Sequence, residues 1–192
     1  TLVNSTGYLL ELTAQTEEAY FTALRLSYLG RVWAPFALLL FATELVGARV
    51  PRFLKNALAL FSAGTYITVL TTKYTGLYYK TETAFSRVGE FGMFSHTNGI
   101  WYHAYAVSLM LYTVATLFLL CNAIRKETDE VARQRLKLVL LAILVQSTSV
   151  IVEMLRLFYL THIYDITMLS FPTAAVIILV AIFRYDLLDT ES

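Results

Sequence analysis

Among the polar side chains that interrupt a long aliphatic stretch late in this sequence are Gln146, Ser149, Glu153 and Arg156. Their steps of three, four and three place them on one stripe of a 3.6-residue helix. Early in the chain, Arg25 and Arg31 interrupt a second apolar stretch. A charge inside a hydrocarbon layer costs about 2.5–3.5 kcal/mol on insertion scales, so each one needs a partner or a task. Glu153 paired with Arg25 or Arg31 would leave a cluster with an excess of positive charge. Such a cluster suits an anionic or amphiphilic ligand held by the planar guanidinium fork. Trp101 and His103, at the start of a third apolar stretch, complete the candidate ligand-binding set. The competing reading is structural: one ion pair, with arginine stems lying along apolar surface and their heads reaching for the interface.

Other chemistries find little support. His96 and His103 are seven residues apart, but Gly99 interrupts the helical register and no cysteine or carboxylate completes a metal set. No metal or other cofactor is expected. There is no phosphate-binding Gly-rich loop, no Gly-x-Ser-x-Gly, no His-Glu-x-x-His and no paired carboxylates within the apolar stretches, so no catalytic role is expected of these residues. Glu44 lies within reach of Arg49 or Lys55, and a surface role suits it better than a proton relay. Asn4-Ser5-Thr6 matches a glycosylation sequon, a weak signal. The single cysteine, Cys121, sits among apolar residues and reads as a small packing residue.

The elements that position these residues follow from composition. Of 192 residues 57% are hydrophobic and only 15% charged, with a mean hydropathy of +0.60. Soluble domains carry about 25% charged residues. Lipid is therefore the expected solvent, and the net charge of +1 offers no field for nucleic acid. A bilayer core takes about 20 apolar residues in a helix. Five stretches qualify, at about 19–47, 54–73, 99–124, 135–160 and 166–184, the second diluted by Ser62, Thr65, Thr68, Thr71 and Thr72. Residues 1–18 are too short to span and read as the end of a helix that starts earlier. The expectation is an all-α polytopic membrane protein, an antiparallel bundle of about five transmembrane helices in one domain. The connection of about 25 residues after the second helix is long for a bundle and is expected to form an ordered cap or partner loop.

Orientation follows from the basic residues. Arg49, Arg52, Lys55, Arg125, Lys126, Arg133, Arg135, Lys137 and Arg184 flank one side, against Lys73, Lys80 and Arg87 on the other. That bias places the C-terminus in the cytoplasm and residues 1–18, 74–98 and 161–165 outside. With a rise of about 1.5 Å per residue, Arg25 lies roughly 7 Å deep, Arg156 roughly 6 Å, Glu153 roughly 10 Å and Arg31 roughly 16 Å. Tyr74, Tyr78 and Tyr79, with Trp101, Tyr102 and Tyr105, read as an interfacial aromatic belt.

Several segments in order resemble the seven-helix N-terminal sensor region of bacterial histidine kinases, which also precedes diguanylate cyclase domains. Glu17-Glu18, then Leu26-Ser27-Tyr28-Leu29-Gly30 and Pro35, look like the entry to that family's third helix, and Thr43-Glu44-Leu45-Val46-Gly47 like its exit. Trp101-Tyr102-His103-Ala104-Tyr105 resembles the aromatic start of the fifth. Asp165-Ile166-Thr167 and Phe183-Arg184-Tyr185-Asp186-Leu187-Leu188-Asp189 resemble the two ends of the last. A proline usual after the Asp-x-Thr step is Met168 here, with Pro172 four residues on. The resemblance implies that residues 1–192 are one sensor domain, holding helices three to seven, whose leading helices and cytoplasmic output lie elsewhere. It implies a bacterial inner-membrane receptor working as a homodimer, with the bilayer and a small-molecule or lipid-like ligand as partners. Arg184, Tyr185, Asp186 and Asp189 would transmit the signal into a histidine kinase or cyclase. The alternative is a transporter or channel-type component, which needs a polar stripe across the whole membrane. Below Gln146 the helix reads Leu138-Val139-Leu140-Leu141-Ala142-Ile143-Leu144-Val145, which favours a blind-ended cavity.

Overall fold

A computed structural model describes residues 2–80, 84–88, 91–95, 97–154 and 167–185 of the chain. They form eight helices, α1 (Leu2–Thr13), α2 (Glu17–Arg31), α3 (Ala34–Leu45), α4 (Arg52–Leu70), α5 (Thr72–Thr75), α6 (Ile100–Lys126), α7 (Glu130–Met154) and α8 (Thr167–Tyr185). One antiparallel hairpin, β1 (Ala84–Val88) and β2 (Phe91–Ser95), lies between α5 and α6 and pairs Ala84 with Ser95 and Val88 with Phe91. Among the described residues, three helical stretches are long and apolar enough to cross a membrane: Glu17–Leu45, Arg52–Leu70 and Ile100–Lys126. Pro172–Ala181 of α8 is a shorter apolar segment. The all-α class holds. Of the five expected spans, the fourth is described only as far as Met154.

Compactness divides the chain into two units, residues 1–40 with 49–112 and residues 41–48 with 113–192. In the first, Thr16 caps α2 with extended backbone angles, its Oγ1 accepting from the Ala19 N–H at 3.2 Å, and Glu17 and Glu18 suit the positive helix end. α1 packs along α2 through a seam of small and polar residues. A Cβ at Gly7 would lie 2.3 Å from the Ser27 nitrogen, so only glycine allows the backbones this close. Ser27 Oγ donates to Asn4 Oδ1 at 3.2 Å within the seam.

The single helix expected over 19–47 is divided at Val32–Trp33, and Pro35 explains why. Its missing N–H and its ring leave the carbonyl four residues earlier, that of Arg31, without a helical donor. Tyr105 supplies one, its hydroxyl donating to the Arg31 oxygen at 3.1 Å. The threonines of α4 satisfy their hydroxyls on the helix itself, Thr65 donating to the Phe61 carbonyl at 2.9 Å and Thr68 to that of Thr65 at 2.7 Å. The helix stops at Leu70, so Thr71 lies in the turn that follows and Thr72 opens α5.

In the second unit, α3 ends at Gly47, whose φ of +64° is the left-handed conformation glycine tolerates. The Ala48 N–H reaches the Thr43 carbonyl at 2.8 Å and that of Gly47 reaches Glu44 at 3.1 Å, a Schellman closure. α7 packs along α8. The buried stripe of α7 is Leu136, Val139, Ile143 and Ser147, and that of α8 is Ser170, Ala174 and Ala181. Val114, Phe118, Leu144, Val176 and Phe183 are exposed, as lipid-facing residues should be. Cys121 is exposed too, correcting its reading as a packing residue.

Candidate functional site

The buried core of the first unit contains a tyrosine cluster. Tyr28 comes from α2, Tyr78 and Tyr79 from the segment after α5, and Tyr102 and Tyr105 from the first turns of α6. Two glycines shape the segment that delivers Tyr78 and Tyr79. Gly76 closes α5 at φ +61°, and a Cβ at Gly99 would sit 2.1 Å from the Leu77 carbonyl oxygen. That contact lets the Gly99 N–H reach the Tyr78 carbonyl at 2.7 Å, while Lys80 N–H bonds the Thr97 carbonyl at 2.8 Å. The chain entering the hairpin is thus fastened to the chain leaving it. Thr72 Oγ1 adds a two-way tie to Tyr79, accepting from its N–H at 3.0 Å and donating to its carbonyl at 3.3 Å.

Within the cluster Tyr78 is fully buried and packs against four tyrosines, with ring centroids 5.3 Å from Tyr28, 4.9 Å from Tyr79, 5.6 Å from Tyr102 and 6.2 Å from Tyr105. Edge-to-face pairs of this kind contribute about 0.5–1.5 kcal/mol each beyond their burial. The hydroxyls of Tyr28 and Tyr79 hydrogen-bond each other. Burial, then the neighbouring Tyr28 phenol, raises the Tyr78 and Tyr79 hydroxyls well above the usual phenol range. These phenols stay neutral, so they present O–H donors and aromatic faces rather than nucleophiles.

Cations rest on the edge of the cluster. The Arg31 guanidinium carbon lies 5.1 Å from the Tyr28 ring centroid. Lys73 Nζ sits 5.8 Å from the Phe21 centroid and 3.9 Å from Glu17 Oε1. Trp101 stacks on Phe61 at 6.0 Å, and its Nε1 donates to Thr65 Oγ1 at 3.1 Å. Tyr66 donates to the Arg25 carbonyl at 3.3 Å.

Of the expected ligand-binding set, the first unit holds Arg25, Arg31, Trp101 and His103. Arg31 and Trp101 adjoin the tyrosines. Arg25 is half-buried, and His103 is exposed with its ring edge-on to Tyr102 at 5.9 Å. Gln146 is half-buried on α7 in the second unit. Arg156, His96, His162, Asp186, Asp189 and the side chains of Ser149, Glu153, Arg184 and Tyr185 lie outside the described residues. The aromatic belt needs correction. Tyr74 is 81% exposed, but Tyr78, Tyr79 and Tyr105 are buried core. Tyr28 was overlooked as a member. The pointer available in the sequence was Gly76 and Gly99 bracketing a Tyr-Tyr pair, glycines that allow backbone to close on backbone.

Comparison with known proteins gave one finding. The family model described as the N-terminal 7TM region of histidine kinase matches residues 1–190. Neither a curated protein nor a solved structure gave a match.

Proposed function

Because the chain belongs to the family of N-terminal 7TM regions of histidine kinases, we propose that it reads an extracytoplasmic or intramembrane stimulus and passes it through α8 to a cytoplasmic kinase or cyclase output. The observation that carries this reading is the extent of the family match, which leaves two residues of the chain uncovered. The chain is a membrane sensor region, and its own residues carry no catalytic motif. The asymmetry of its basic residues supports an inner-membrane location with the C-terminus in the cytoplasm.

In this proposal the stimulus acts on the first unit, where Arg31 and Trp101 adjoin the tyrosine cluster and Arg25 and His103 lie nearby; Gln146, Glu153 and Arg156 are proposed as ligand-binding residues from the sequence pattern alone. An anionic or amphiphilic molecule is the ligand class that the excess of arginine favours. Such a ligand shifts the balance of two arrangements only by the difference in its affinity for them. Arg184, Tyr185, Asp186 and Asp189 carry the resulting movement of α8 onward, in a homodimer. The coding sequence beyond Ser192 tests this first. A phosphoacceptor histidine domain with an ATP-binding domain, or a cyclase domain, is the expected result. A stop codon there would remove the output and favour the transporter alternative.

A further inference from the structure

The turn between α6 and α7 carries charges that the sensor reading does not use. Residues 125–137 contain five basic and three acidic side chains. Each acid is committed locally. Glu127 Oε1 accepts the N–H groups of Thr128 at 3.0 Å and Asp129 at 3.1 Å. Asp129 caps α7, its carboxylate accepting from Ala132 N–H at 3.0 Å and Val131 N–H at 3.4 Å. Glu130 bridges to Arg133. Among the described residues no ion pair is formed by Arg125, Lys126, Arg135 or Lys137. Arg125, Lys126 and Lys137 are exposed, and Arg135 is half-buried with its Nε lacking a hydrogen-bond partner. Lys137 feels Glu130 only through space.

Their height in the membrane gives these four cations a partner. Reading Ile100–Lys126 as a span sets Arg125 and Lys126 at one membrane surface. The connection of residues 127–129 is too short to carry α7 away from it. From Glu130 to Lys137 the helix rises about 10 Å, comparable with a headgroup layer of about 5–8 Å on each side of the hydrocarbon. The aliphatic run begins at Leu138, so the charges end where the hydrocarbon starts. We infer that the α6–α7 turn is a binding surface for anionic lipid headgroups, engaged by Arg125, Lys126, Arg135 and Lys137. Two of these residues close α6, and Arg135 and Lys137, two positions apart on α7, lie about 200° apart around the helix, so the surface gathers several phosphodiester headgroups and selects for charge, not for headgroup shape. It is independent of the ligand site proposed above.

Cys121 supplies the probe, since it is exposed one turn before Arg125 and is the only cysteine of these 192 residues. The full-length protein, with any cysteine elsewhere replaced by serine, is labelled there with a fluorophore and reconstituted in phosphatidylcholine vesicles. Quenching by brominated phosphatidylglycerol is compared with quenching by brominated phosphatidylcholine. The expected result is a preference for the anionic lipid of at least about fivefold, the effect of roughly one basic residue near a charged surface. Raising salt from about 0.05 to about 0.5 M should bring the ratio towards one, a result that requires no variant. The variant R125Q/K126Q/R135Q/K137Q should do the same at low salt, while K73Q/K80Q should keep the preference. Equal quenching in the unaltered protein, an unchanged ratio in the fourfold variant, or an equal loss in K73Q/K80Q would overturn the inference.

Discussion

At the scale of single residues, the tyrosine cluster is where small chemical changes should have the largest effect. Tyr28→Phe deletes one of two buried hydroxyls that hydrogen-bond each other and leaves Tyr79 without that partner. Losing one side of a buried hydrogen bond costs about 1–3 kcal/mol, so the midpoint of a denaturant titration in detergent should fall. An unchanged midpoint would show that the pair contributes nothing. The same residues set an alkaline limit. Tyr78 and Tyr79 ionise near pH 10 when unfolded but well above it when folded, because burial disfavours the phenolate. Unfolding then releases protons, so their contribution to stability is fully present below about pH 10 and declines as pH rises beyond it. Phenolate absorbance should therefore rise together with loss of structure. A cluster that ionises near pH 10 while still folded would contradict its burial.

At the scale of elements, the break between α2 and α3 couples proline to tyrosine. Pro35 strips Arg31's carbonyl of its helical donor and Tyr105 replaces it. With Pro35→Ala the amide of residue 35 can bond that carbonyl, so Tyr105→Phe should cost less in that background than alone. A double-mutant cycle should give a coupling of at least about 0.5 kcal/mol, and strict additivity would refute the link. Gly99→Ala should destabilise more than Tyr28→Phe, because its Cβ would meet the carbonyl of Leu77, which is backbone and cannot step aside cheaply. Much of this level was legible in the residues. Helix existence followed from apolar length and the end at Gly47 from the segment resembling the family's helix exit, whereas the start capped by Thr16 lies two residues ahead of the expected bound. What stayed hidden depends on contacts far apart in the chain. Pro35 was read as lying within one continuous helix, and nothing local said that it would divide it or that Tyr105 would complete the break. Tyr78 and Tyr79 have the composition of an interface belt, and only the glycine-mediated closure of the chain at Gly99 turns them inward. Cys121 has the composition of core but faces outward, because in a membrane the exposed face is apolar too.

At the scale of the whole molecule, the fold class and the family were legible before any coordinates, because composition specifies the solvent and short motifs in order specify the lineage. The candidate charge cluster stays a proposal at this scale. Arg31 and Trp101 do border the tyrosines, whereas Glu153 and Arg156 fall where no side chain is described. Glu153→Ala therefore tests that proposal directly: it should alter output if the carboxylate pairs with an arginine of the sensor. Unchanged stability together with unchanged output would remove it from the site. The central claim is that these helices set the activity of an attached output domain. The most direct test measures that activity, as phosphohistidine formed or as cyclic dinucleotide made, in membranes containing the full-length protein. Three forms are compared at equal amounts of folded protein: unaltered, Arg31→Gln, and with one residue inserted after Asp189. The account predicts that both changes shift the output severalfold, Arg31→Gln at the sensing end and the insertion by turning the following helix about 100° out of register. Output identical in all three forms would contradict it, because the membrane region would then be an anchor rather than a sensor.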